Sequence, residues 1–229
     1  MSNQKINSYN GNSNLKQIGF PIDYAQEQVQ EIIKCSSDPI YFVEKYCKIV
    51  SLDRGLVPFK LYDCQKTKID LILNNRKVII MEGRQQGKTV TSAACIREVL
   101  YRYQIMYENL PLWMQQGVKT WNKGDVELEN GSKIFTSATS LSGIRGKSVN
   151  WLYIDEAAIV PNNVAEDFFT STYPTIMAGE TTKVLLTSTP LGYNHFWKFW
   201  NDSKENRNGF VNLQIPYWEI PGRDEKWAE

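Results

Sequence analysis

The chain has 229 residues, of which 42% are hydrophobic, 12% aromatic and 22% charged; that is enough apolar material for a packed core and rules out wholesale disorder. With 26 Lys and Arg against 25 Asp and Glu the formal charge is +1, which argues against a protein that coats a polyanion by bulk charge and leaves room only for a local basic patch. The longest apolar runs, such as Val78-Ile79-Ile80-Met81, fall far short of a bilayer span, and residues 1–19 hold no apolar signal-peptide segment, so an intracellular location without membrane is expected.

In chain order, residues 1–19 are polar, rich in Asn and Ser, and read as a mobile, disordered tail. From Asp23 to Lys34 the apolar residues Ala25, Val29, Ile32 and Ile33 recur at helical spacing. Asp38-Pro39 is an N-cap followed by Pro at the first helical position, and predicts a second helix running to about Val50. Ser51 to Leu61 carries turn residues and then a short extended piece; Asp63 to Asn74 is a third helix. Lys77 to Glu82 then reads as a buried strand, followed by a glycine-bearing loop and a helix from about Lys88. Trp121 to Thr139 alternates and turns at Asn130-Gly131, a hairpin signal. Trp151 to Ile154 is a second buried strand ending in Asp155-Glu156. Ala165 to Ala178 predicts helix, Lys183 to Thr187 strand, Asn194 to Lys204 amphipathic helix and Phe210 to Ile215 a last strand. Strands alternating with helices predict an α/β fold with a mostly parallel central sheet.

Four cysteines (Cys35, Cys47, Cys64, Cys95) contain no C-x-x-C pair, and His195 is the single imidazole. Those numbers argue against a Cys/His zinc site and against a serine–histidine or cysteine–histidine catalyst; reduced core cysteines are the expectation.

The chemistry concentrates in Gly83-Arg84-Gln85-Gln86-Gly87-Lys88-Thr89, which leaves a buried strand and opens a helix. In a P-loop, Gly87 lets the backbone pass close to phosphate, while successive N–H groups and the helix N-terminus cradle the anion. Lys88 would place a point charge on the β- and γ-phosphates, and the Thr89 hydroxyl would ligate Mg²⁺. The usual signature G-x-x-x-x-G-K-[ST] puts its first glycine where this chain has Glu82, with Gly83 one place late. A generic strand–turn–helix link that happens to hold G-K-T is the bland alternative. A second element weighs against it: the apolar strand Trp151-Leu152-Tyr153-Ile154 ends in two carboxylates. In a nucleotide enzyme Asp155 would face the metal, and Glu156 would be the base that orients water for attack on the γ-phosphate.

From about Asp38 to Glu229 the chain resembles the ATPase domain of the large terminase subunit of tailed bacteriophages, the DNA-packaging motor, and most of all its T4-like branch. The segments that carry the likeness are L-Y-D-C-Q at 61–65, G-R-Q-Q-G-K-T at 83–89, W-N-K-G-D-V-E-L-E-N-G-S at 121–132, S-G-I-R-G at 142–146, L-Y-I-D-E-A at 152–157 and T-S-T-P-L-G-Y-N-H-F at 187–196. The resemblance implies that Gln65 reads adenine, with Tyr62 as a stacking neighbour; a solvated helix glutamine is the alternative for Gln65. It implies that Arg84 acts in cis on transition-state charge, and that Thr187-Ser188-Thr189 is the coupling motif that senses the γ-phosphate. Arg145, between Gly143 and Gly146, would contact DNA or a neighbouring subunit's nucleotide, or would be an exposed structural arginine. ATP and Mg²⁺ are the implied cofactors. Double-stranded DNA, a portal protein and a small terminase subunit are the implied partners, with a homo-oligomeric ring on the portal and the host cytoplasm as location.

Two departures accompany the likeness. Family members carry an RNase H-like nuclease domain, whereas this sequence offers no cluster of strand-borne Asp residues for two-metal hydrolysis, so no nuclease activity is expected of it. The gap between Lys88 and Asp155 is also short: Thr89 to Asn109 holds no Gly or Pro and reads as one helix, so one strand with part of its flanking helices is expected to be missing after the phosphate loop, leaving a sheet edge unpaired. The expected organisation is a tail at 1–19, a P-loop ATPase domain with N-terminal helices at 20–205 and the start of a linker subdomain at 206–229. Two rival functions stand beside ATP-driven DNA translocation. One is a weakly active or non-hydrolysing terminase remnant serving assembly; the other is a helicase-like P-loop ATPase.

Overall fold

A computed structural model describes residues 8–51, 53–83, 100–137 and 147–224. The strands are β1 (Ser8–Tyr9), β2 (Asn12–Lys16), β3 (Lys48–Ser51), β4 (Gly55–Pro58), β5 (Lys77–Glu82), β6 (Val118–Trp121), β7 (Asp125–Leu128), β8 (Lys133–Phe135), β9 (Trp151–Ile154), β10 (Lys183–Ser188) and β11 (Val211–Ile215). The α-helices are α1 (Gln26–Ser37), α2 (Pro39–Tyr46), α3 (Asp63–Asn74), α4 (Leu100–Glu108), α5 (Asn162–Asp167), α6 (Tyr173–Met177) and α7 (His195–Lys204). They fall into two compact units: Met1–Leu61 with Arg97–Thr136, and Tyr62–Ile96 with Ser137–Glu229.

In the first unit β1 and β2 pair antiparallel across Asn10-Gly11, both at positive φ (48° and 81°), as a tight hairpin turn requires. Leu15 from this hairpin is 1% exposed and joins a core with Leu100, Tyr103, Tyr107, Val118, Val126 and Leu128. Residues 8–16 are therefore structured, where polar composition had suggested a mobile tail: one turn and one buried Leu suffice to anchor them. α2 begins as expected, with the Tyr41 N–H donating to Asp38 Oδ1 at 2.9 Å and Pro39 in the first turn. It stops at Tyr46, not near Val50, because Lys48–Ser51 pairs antiparallel with Gly55–Pro58; β-branched Ile49 and Val50 suit that strand. β6, β7 and β8 form an antiparallel meander, with Gly131 at φ 83° in the turn expected at Asn130-Gly131. Buried Gln115 stitches this unit: its Nε2 donates to the carbonyls of Asn14 (2.9 Å), Tyr107 (3.1 Å) and Leu110 (2.9 Å), and its Oε1 accepts from Lys16 N (3.1 Å).

The second unit is a four-stranded, wholly parallel sheet in the order β11-β5-β10-β9. β5 is apolar on both faces, and its side chains sort by the strand period of two. Val78 and Ile80 pack with Ile72, Leu185, Ile215 and Ile220 on the α3 side. Ile79 packs with Leu152, Leu186, Phe168, Phe196 and Trp200 on the other. Burying each such side chain fully contributes about 1.5–3 kcal/mol. The helix expected over Ala165–Ala178 is present as α5 and α6, separated by a π-helical turn at Phe168–Thr172; Pro174, which lacks an N–H, sits in the first turn of α6, where the regular ladder restarts. Cationic side chains close two segment ends, as helix dipoles favour: Arg76 donates to the carbonyls of Met177 (2.9 Å), Gly179 and Thr182 (3.0 Å) after α6, and Lys183 to that of Leu73 in α3. Among the described residues β9 is an outer strand of this sheet. The helix expected through Thr89–Asn109 is seen as α4 from Leu100; its first part, with the turn-free stretch from Thr89, lies outside the described residues.

Candidate functional site

The parallel register brings the strand ends to one edge. Leu186 lies opposite Ile154, and Ser188 opposite Met81, so Asp155-Glu156, Thr187-Ser188-Thr189 and Glu82-Gly83 all leave the sheet there. Ligand sites in open parallel sheets sit at this carboxyl edge. Thr187 and Ser188 are fully buried polar residues, and each is hydrogen-bonded. Thr187 Oγ1 donates to Asp155 Oδ1 at 2.8 Å and lies 3.0 Å from the Tyr153 hydroxyl. Ser188 Oγ accepts from the Ala158 N–H at 2.9 Å. Thr189 Oγ1 donates to Glu156 Oε2 at 3.4 Å. Five of the residues singled out in the sequence thus form one cluster, in which the acidic pair and the hydroxyl triplet meet across two neighbouring strands.

Between Asp155 and Ala157 the chain turns through Glu156 at φ 50°, ψ 41°. Besides Glu156, Asn10 and Asn206 are the described non-glycine residues at positive φ. Asn enters the left-handed region readily; a Glu there is strained by roughly 1–3 kcal/mol. The Glu156 N–H donates to Asp155 Oδ1 at 3.0 Å. Past the turn, His195 Nε2 lies 2.7 Å from the Ala157 carbonyl oxygen, and Asn194 Nδ2 donates to the Ala158 carbonyl at 2.8 Å. His195 Nδ1 is 3.1 Å from Asn162 Oδ1, which also accepts from the His195 backbone N–H at 3.3 Å. Burial holds the imidazole pKa below its ordinary value, against the Ala157 hydrogen bond, which raises it.

Gly83 follows β5 directly, and Arg84, Gln85, Gln86, Gly87, Lys88, Thr89 and Arg145 lie outside the described residues. Glu82, in the position of the customary first glycine, forms a 2.7 Å ion pair with Lys68 of α3, both side chains being 1% exposed. Gln65 is buried, not solvated, and its Oε1 accepts from the Tyr62 N–H at 3.0 Å, one half of a capping box at the start of α3. Tyr62 is exposed.

The sequence assigned no site role to Tyr153, Asn194, His195 or the Lys68–Glu82 pair. Tyr153 lies on β9 two residues before Asp155, which leaves the strand directly, and the period of two puts them on one side. Asn194 and His195 follow a proline-glycine loop, and nothing in their spacing tells that they return to the acidic turn. Among the described residues no group of three or more His, Cys, Asp or Glu could hold a metal ion, and no helix is long and apolar enough to cross a membrane.

A similar fold occurs in solved bacteriophage proteins. The large terminase from a thermophilic bacteriophage superposes with a TM-score of 0.56 at 12% identity, over 73% of this chain and 48% of that one. The ATPase domain of the Thermus phage P74-26 large terminase matches with a TM-score of 0.52 at 14% identity, over 70% of this chain and 83% of that one. The first of these terminases, in a crystal form that holds ADP, matches with a TM-score of 0.52 at 14% identity, over 73% of this chain and 48% of that one. The chain thus spans about half the length of the thermophilic bacteriophage's large terminase. At such identities the likeness establishes the fold, an α/β P-loop NTPase fold around a parallel four-stranded sheet. A family model described as "Terminase large subunit, T4likevirus-type, N-terminal" matches residues 96–225. That match takes in the acidic turn, the strand that bonds to it and more than half of the sequence, and the chain belongs to the T4-like terminase large subunit family.

Proposed function

We propose that this chain is an ATPase whose hydrolysis drives double-stranded viral DNA into a prohead. The observation that carries the reading is the pair of hydrogen bonds from Thr187 to Asp155 and from Thr189 to Glu156, because it joins an acidic pair to a hydroxyl loop at the carboxyl edge of the sheet. Hydroxyls there are suited to register a change at the γ-phosphate and pass it to the backbone beyond. The ADP held by the thermophilic bacteriophage's large terminase supports a nucleotide as ligand.

In this reading Gly83, Arg84, Gln85, Gln86, Gly87, Lys88 and Thr89 cradle the phosphates, with Gln65 and Tyr62 toward the base. Asp155 and Thr89 would hold Mg²⁺: a carboxylate and a hydroxyl are hard oxygen donors, and Mg²⁺ commonly takes only one or two carboxylates beside phosphate and water. The ion supplies charge neutralisation on the β- and γ-phosphates. Glu156 orients the attacking water and receives its proton, while Arg84 meets the charge that develops on the γ-phosphoryl group. Thr187 fixes the Asp155 carboxylate by donating to Oδ1, so that group need not reorganise during turnover. DNA, the portal, a small terminase subunit and a ring of copies complete the proposed assembly, with Arg145 reaching DNA or a neighbour's nucleotide.

The test is ATP turnover beside nucleotide binding. Glu156→Gln should bind ATP like the wild type and lose turnover by about 100-fold or more. Equal turnover in the two proteins would remove Glu156 from the reaction, and binding without turnover in the wild type would favour an assembly role instead.

A further inference from the structure

The acidic turn is strained at Glu156, and its two following carbonyls are both taken by residues of one distant loop. His195 reaches Ala157 O at 2.7 Å and Asn194 reaches Ala158 O at 2.8 Å. The same Asn194 caps α7, its side chain accepting from the Trp197 N–H at 3.1 Å. On the near side, Ser188 accepts from the Ala158 N–H. A non-glycine residue stays in the left-handed region only where its surroundings over-determine it, and these bonds supply the over-determination.

We propose that His195 is a positioning residue for Glu156: its Nε2–H, donated to the Ala157 carbonyl, locks the turn in its left-handed form and so fixes where the Glu156 carboxylate stands. The proposal rests on the ATPase reading for its catalytic consequence, but the clamp itself is a statement about the fold. A carbonyl oxygen can only accept, so the proton must be on Nε2. Nδ1 faces a second acceptor, Asn162 Oδ1, at the longer distance of 3.1 Å; a neutral ring has one proton for these two oxygens, and the 2.7 Å contact to Ala157 O claims it. A residue that merely filled space would not need a particular tautomer. Unlike the Asp155–Thr187 bond, this contact acts on backbone and takes up no carboxylate oxygen.

The chain's one imidazole makes the test clean. In the full-length protein, ¹⁵N chemical shifts of the ring should report the Nε2–H tautomer, and the Ala158 amide should exchange slowly. His195→Phe keeps the ring shape and removes the donor; it should lower kcat about tenfold or more at unchanged KM, equivalent to about 1.4 kcal/mol, and speed exchange at Ala158. His195→Gln restores an amide donor and should recover most of both. An Nδ1–H tautomer, or a Phe variant with wild-type kcat and exchange, or a Gln variant as impaired as Phe, would each overturn the clamp. If His195→Phe fails to fold, the tautomer and the Gln variant decide. If the wild type hydrolyses no ATP, the ATPase reading falls, while tautomer and exchange still judge the clamp.

Discussion

Glu82 is the residue at which the phosphate-loop signature departs from its usual form, and the fold answers the departure with Lys68. A lone buried carboxylate would be expensive; paired at 2.7 Å with both side chains 1% exposed, it is tolerated. Lys68→Met should therefore lower unfolding stability by about 3–5 kcal/mol, because it removes the buried ammonium 2.7 Å from Glu82, whereas adding Glu82→Leu to it should restore much of the loss. Urea unfolding of the three proteins checks this. His195 carries a second prediction at this scale. Burial holds its folded pKa below the ordinary value, while the unfolded chain titrates near the free imidazole value of about 6.5. The unfolded state thus binds more protons in the window between, so the contribution is complete above about pH 6.5 and is lost as pH falls through the folded value. His195→Gln should flatten that part of the stability profile, as read from urea midpoints on either side of it.

At the scale of elements, α1 and α2 show how little apolar contact can hold a helix pair. α1 buries no residue, and Val29 and Ile33 stay exposed. Its polar ties to α2 are Lys34, whose Nζ lies 3.7 Å from the centre of the Tyr41 ring, and above all Glu31, which accepts from Lys45 Nζ (2.7 Å), Tyr41 OH (2.9 Å) and Tyr46 OH (2.9 Å). The Lys45 hydrogen bond in first place, with those tyrosines, lowers the Glu31 pKa to about 2. Because the folded value is depressed, the stabilisation is present above the unfolded value of about 4.3 and disappears as pH falls toward 2. Glu31→Gln should free α1 at neutral pH, seen as faster amide exchange across residues 26–37 with the rest unchanged. Gly117 sets a different constraint: a Cβ there would meet the Glu129 carboxylate and lie 2.6 Å from Ile18 Cα and 2.9 Å from Gln17 O. Gly117→Ala should destabilise by about 1–3 kcal/mol, since backbone must move. Elements with a strong local signature were legible in the sequence: β5 and β9 by unbroken apolar runs, α2 by its Asp-Pro start, the β7–β8 turn by Asn-Gly. The β3–β4 pair and the β1–β2 hairpin were not, although each pairs across a few residues and Asn10-Gly11 carries the same turn signal: their strands are short, and the residue that anchors the first hairpin, Leu15, packs on Leu100, Val118 and Val126 far along the chain. The acidic pair was legible as the polar end of an apolar strand and the hydroxyl triplet through the family resemblance, while the residues that clamp Glu156 come into view only once α7 is folded.

Across the whole molecule, the chain passes between its two compact units at Leu61–Tyr62, Ile96–Arg97 and Thr136–Ser137, so neither unit is one continuous stretch. Removing residues 1–61 should therefore leave the parallel sheet intact while exposing the core of Leu100, Tyr103, Val118 and Val126 that Leu15 covers. Amide exchange in 100–128 should rise sharply, with 183–188 still protected; equal protection in both segments would show that the first unit holds without its N-terminal half. The parallel sheet has a consequence for synthesis as well. β5 finds its two neighbours, β10 and β11, only roughly a hundred residues or more later, and such non-local pairing slows folding. At ribosomal rates of about 5–20 residues per second, the Val78–Met81 run waits about 5–25 s before either partner strand has been made. For that interval it is an apolar strand with two open edges, and the nascent chain is at its most prone to aggregate just before the strand that bears Thr187 and Ser188 emerges to cover it.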